Sequence, residues 1–75
     1  MTAVDVCFRY GRLPGEREMR TLDNVTEVYG IRRIVFDEKQ NIVRVEFDAT
    51  RLNEESVAAL LRGAGLDLRE KVAQV

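Results

Sequence analysis

The sequence predicts one small α+β domain, in the order βαββαβ, with two helices on one face of a four-stranded antiparallel sheet. Three observations carry that prediction. Apolar residues alternate singly at Val4, Val6 and Phe8, and again in two short runs joined by a polar turn, which is the period of half-buried strands. Between and after those runs they recur at helical spacing, first at Met19, Leu22, Val25, Val28 and Tyr29, then at Val57, Leu60, Leu61 and Ala64. Length sets the third: 75 residues, 45% of them hydrophobic, suffice for one core and leave nothing for a second.

Residues 3–9 read as a strand with Val4, Val6 and Phe8 inward and Asp5, Cys7 and Arg9 outward, stopping at Tyr10-Gly11. After the loop Arg12-Leu13-Pro14-Gly15, the first helical stripe runs to Tyr29, and Gly30 is suited to end it because glycine takes the left-handed conformation of a helix C-terminus. Ile31, Ile34 and Phe36, then Val43, Val45 and Phe47, make two strands whose link, Asp37 to Asn41, is short enough to force an antiparallel hairpin. Pairing Asp37 with Ile42 sets Arg33 opposite Glu46 and Val35 opposite Arg44, a register that opposite charges support. The second strand ends at Asp48-Ala49-Thr50. Asn53 can cap the next helix, Glu54 and Glu55 complement its dipole, and Leu52 can staple onto Val57. Gly65 ends that helix. Beyond it, Leu66, Leu68 and Val72 supply a last strand, or Asp67 to Val75 forms a short helix; the sequence leaves both open. Right-handed crossovers place both helices on the same side, the ferredoxin-like arrangement.

The opposite sheet face then carries Asp5, Cys7, Arg9, Arg33, Val35, Asp37, Ile42, Arg44 and Glu46. It is mostly charged and reads first as a solvated sheet face; Cys7, Val35 and Ile42 are its apolar spots, the candidates for a protein interface.

The run Gly30 to Asp37, then Val43-Arg44-Val45-Glu46-Phe47-Asp48, then Val57 through the Ala64-Gly65-Leu66 corner, resembles the second half of the heavy-metal-associated domains of copper chaperones. The likeness spans roughly two-thirds of the chain by pattern. It implies the same fold. It does not carry over the family's metal site, whose Gly-Met-x-Cys-x-x-Cys loop is replaced here by Tyr10-Gly11-Arg12-Leu13-Pro14-Gly15-Glu16-Arg17. Soft metals bind thiolate, thioether or imidazole, and the chain offers no histidine, one cysteine and two methionines, so no metal or other cofactor is expected. Cys7 is the one weak metal candidate, through a thiol shared between two copies; as a lone cysteine in a strand it reads more simply as a small apolar residue.

Twelve basic and thirteen acidic residues leave a net charge of -1, too weak a field to draw nucleic acid or an anionic membrane by charge. No run approaches the roughly 20 apolar residues of a membrane span, and the opening MTAVDVCFRYG lacks the basic and apolar regions of a secretion signal, so the cytoplasm is the expected location. RNA-recognition domains share the topology but stack bases on aromatics of the open face, whereas Phe8, Phe36 and Phe47 fall on the helix side. Without a histidine or a carboxylate pair forced into one cleft, no catalysis is expected. Arg12 and Arg17, with Arg9 and Arg20, surround the start of the first helix and are candidates to hold an anion, against the offsetting Glu16 and Glu18. The resulting expectation is a non-catalytic module that binds a protein partner or itself. The alternatives are an ACT-like ligand sensor using the Gly11 to Gly15 loop, or residual metal handling through Cys7 in a dimer.

Overall fold

Strand β1 (Ala3–Tyr10) is followed by helix α1 (Glu16–Val25), the hairpin β2 (Ile31–Asp37) and β3 (Ile42–Asp48), helix α2 (Glu54–Gly63) and strand β4 (Leu68–Val72). These elements belong to a computed structural model that describes residues 3–28 and 30–72. The strands form one antiparallel sheet in the order β2-β3-β1-β4, so each helix joins two consecutive strands that are not adjacent in the sheet. The fold is the ferredoxin-like α+β one, and the C-terminal segment is a strand rather than a helix as far as Val72. The rest of that expected segment, 73–75, lies outside the described residues, as does Tyr29.

Alternation does the sorting. Val6, Phe8 and Tyr10 of β1 and Val43, Val45 and Phe47 of β3 turn to the helix side, where they pack with Leu22, Val25, Val57 and Leu61. Each fully buried aliphatic side chain there contributes about 1.5–3 kcal/mol of transfer free energy. Helix α2 supplies most of the cover, through Val57, Ala58 and Leu61, with Leu60 only half-buried. Its ends are well made. The Asn53 side chain accepts from the Ser56 N–H at 2.8 Å. At the other end Gly65, at φ 96°, lets its own N–H reach the Arg62 carbonyl and that of Leu66 reach the Leu61 carbonyl, a Schellman closure.

Helix α1 differs from its sequence pattern at both ends. Met19 is 39% exposed, so the buried stripe begins at Leu22. The helix stops at Val25 instead of Tyr29, because the Thr26 hydroxyl bonds the Asp23 carbonyl and the chain tightens into three-residue turns, with Val28 N–H donating to the Val25 carbonyl at 2.9 Å. Gly30 therefore opens β2 more than it ends α1. Its φ of 109° favours glycine, and a Cβ there would lie 2.9 Å from the Leu52 side chain. Its carbonyl accepts from the Asp48 N–H at 2.7 Å, clasping the start of β2 to the end of β3.

The hairpin register is the one the charges predict: Arg33 pairs with Glu46, Val35 with Arg44 and Asp37 with Ile42. Two bulges interrupt the sheet among the described residues. One falls between Ile31 and Arg33, which is how Ile31 and Ile34, three residues apart, both face inward. The other lies in β4 opposite Phe8 to Tyr10, and brings Lys71 opposite Phe8 and Val72 opposite Cys7.

Candidate functional site: the open sheet face

Strand pairing arranges the uncovered face as three rows running across the strands. The first holds Arg33, Glu46 and Asp5; the middle one Val35, Arg44, Cys7 and Val72; the third Asp37, Ile42 and Arg9. Glu70 of β4 joins the third row by an ion pair with Arg9, 3.5 Å from guanidinium nitrogen to carboxylate oxygen. Arg33 and Glu46 are backbone partners, yet the ion pair of Glu46 is with Arg32, at 3.7 Å. The bulge explains this, since the extra residue Arg32 swings its side chain over the sheet edge. Among the described residues Asp5, Arg33, Asp37 and Arg44 make no ion pair. Between them lies a shallow hollow of about 190 Å³ lined by Asp5, Arg33, Val35, Arg44 and Glu46.

The three apolar candidates stand differently on this face. Val35 is 40% exposed in the middle row. Ile42 is half-buried, and Cys7 is buried at 6% exposure although it faces away from the helices, so it presents little of itself to a partner. Sequence reasoning missed two members: Arg32, hidden by the bulge, and Val72, whose place beside Cys7 depends on the bulge in β4. The broken spacing Ile31-x-x-Ile34 was the available signal for the first; nothing comparable marks the second.

Arg12 and Arg17 are both exposed, one in the loop before α1 and one in its first turn. No side chain caps the helix at Gly15, but the carboxylate of Glu18 folds back over it, 3.1 Å from where a Cβ at Gly15 would sit. Glu16 and Glu18 thus complement the dipole of that turn. Arg20 pairs with Glu16 at 3.4 Å.

Two other polar groups are well placed but serve the fold. Asp48, buried at the end of β3, accepts from the Thr50 hydroxyl at 2.7 Å and the Thr50 N–H at 3.0 Å. Those bonds, the hydroxyl's first, hold its carboxyl below the ordinary carboxylate range, with the nearby Arg51 guanidinium adding to the effect. The Tyr10 hydroxyl is buried without a partner among the described residues. Burial, and then the charges of Glu38 and Asp37, push it above the usual tyrosine value. Its ring stacks edge-on against Phe36, centroids 5.6 Å apart.

A wider hollow of about 590 Å³ opens at the far end of the sheet, between Val4, Phe47 and Leu52, with Asp5, Glu54 and Glu55 on its rim. Glu54 is drawn to Lys71, at 2.8 Å. Among the described residues no three His, Cys, Asp or Glu side chains converge as a metal site, and no helix is long and apolar enough to cross a membrane. Neither a family model, nor a curated protein, nor a solved structure matches this chain.

Proposed function

We propose that this chain is a non-catalytic interaction module, akin in fold to the heavy-metal-associated domains, that binds protein through the open face of its sheet. One observation carries the reading: the uncovered face holds an exposed valine, Val35, set among Arg33, Asp37 and Arg44, which make no ion pair among the described residues. Charged side chains ringing an apolar spot form the pattern of an interface with a small core and a polar rim. The inner face of the sheet is taken up by the protein's own core, so the partner-binding part of the sheet is its uncovered face.

The test compares baits. Val35→Asp combined with Arg44→Glu alters the face, and Leu13→Asp combined with Met19→Asp alters the exposed apolar residues near α1. Proteins cross-linked to the native chain in its own cell extract should be lost with the first variant and kept with the second. Retention of the same proteins by the sheet-face variant would overturn the reading.

A further inference from the structure

We infer that the occupant of the open face is a second copy of this chain, related by a two-fold axis that lies in the interface and runs across the strands through the middle row. The inference rests on the proposed role of the face and adds its partner and geometry. It comes from the charge pattern. An axis across the strands exchanges the first and third rows, so that Arg33 of one copy meets Asp37 of the other, and Asp5 meets Arg9. Both contacts occur twice, as an isologous interface requires. Val35 meets its own copy, and Glu46, already held by Arg32, falls on Ile42.

A two-fold along the strands through the centre of the sheet, between β3 and β1, fails on the same map. It would set Glu46 against Asp5 and Asp37 against Glu70, acid on acid, which disfavours association. One over β3, though it pairs Arg33 with Asp5 and Asp37 with Arg9, sets Glu46 on Glu46 as well as Arg44 on Arg44; the axis between β3 and β1 is the worse of the two. The favoured arrangement has two liabilities, Glu46 set on the apolar Ile42 and the meeting of two Arg44 side chains near the axis. Each Arg44 is one pairing row from Glu46 of the second copy, within reach of a long side chain. The net charge of -1 gives little long-range repulsion between copies.

Size sets the strength. Four strands about 4.8 Å apart and about seven residues long at about 3.3 Å each make a face of roughly 450 Å² per copy, or roughly 900 Å² in total. That falls in the range of weak, reversible contacts, and the mixed charges make it sensitive to salt.

Sedimentation equilibrium at low ionic strength, on the native chain and on Arg33→Asp and Asp37→Arg, tests the geometry. Both positions are exposed, and thermal melts confirm that each variant is folded. The native chain should self-associate, each variant alone should do so about tenfold more weakly, and their equimolar mixture should recover the dimer. In the mixture each reversed charge meets its complement. A native chain that stays monomeric at every concentration reached would end the inference while leaving a different protein as the partner of the face. Variants that associate as the native chain does, or a mixture that does not recover, would overturn the two-fold arrangement.

Discussion

Tyr10 sits at the inner end of β1 with its ring in the core and its hydroxyl buried without a protein partner among the described residues. A buried hydroxyl left unpaired carries its desolvation cost uncompensated, so Tyr10→Phe, which keeps the ring and its contact with Phe36, should stabilise the fold by about 1 kcal/mol in urea denaturation at neutral pH. The same residue sets an alkaline limit. Its folded value lies above that of the unfolded chain, so stability is full below the ordinary tyrosine range and falls as pH rises toward the folded value. That fall should be smaller in Tyr10→Phe. Asp48 works in the opposite sense. Its carboxyl is held low in the fold, so its contribution is present above the ordinary carboxylate range and is lost as pH falls through the folded value. The stability gap between the native chain and Asp48→Asn, measured by urea denaturation, should therefore be widest at neutral pH and close in strong acid. A gap independent of pH would mean that the Thr50 bonds do not depend on the charge.

Among the elements, α2 is the better-anchored helix and α1 the weaker. Asn53→Ala removes the bond to the Ser56 N–H and should cost about 1 kcal/mol, seen as a fall in Tm of about 4–8 °C for a domain of this size. These elements also show what the sequence made legible. The hairpin register was readable because cross-strand charges and a short turn act over neighbouring residues, and the start of α2 because a cap is a local hydrogen bond. The end of α1 was not, since Val28 keeps the helical spacing and still packs against the core from a turn. Met19 fits the stripe by spacing yet is 39% exposed, while Leu22 and Val25 further along the same stripe are buried. The strand identity of Leu68–Val72 depended on pairing with β1, a tertiary contact that a five-residue segment does not announce. On the open face, Asp5, Cys7, Arg9, Arg33, Val35, Asp37, Ile42, Arg44 and Glu46 were all placed by alternation alone. The burial of Cys7 and the reach of Arg32 required the bulges and neighbouring strands.

At the scale of the whole molecule, one face of the sheet is consumed by folding and the other is left as a charged lattice with an exposed valine. The core accounts for the first; the proposed association accounts for the second. The most direct measurement is a dilution series followed by two-dimensional amide NMR at low salt. The account predicts concentration-dependent shifts gathered on β2, β3 and β1, strongest around Arg33, Val35 and Arg44 and reduced by added salt. Shifts that gather on α1 and α2 instead, or spectra unchanged across the series, would contradict it.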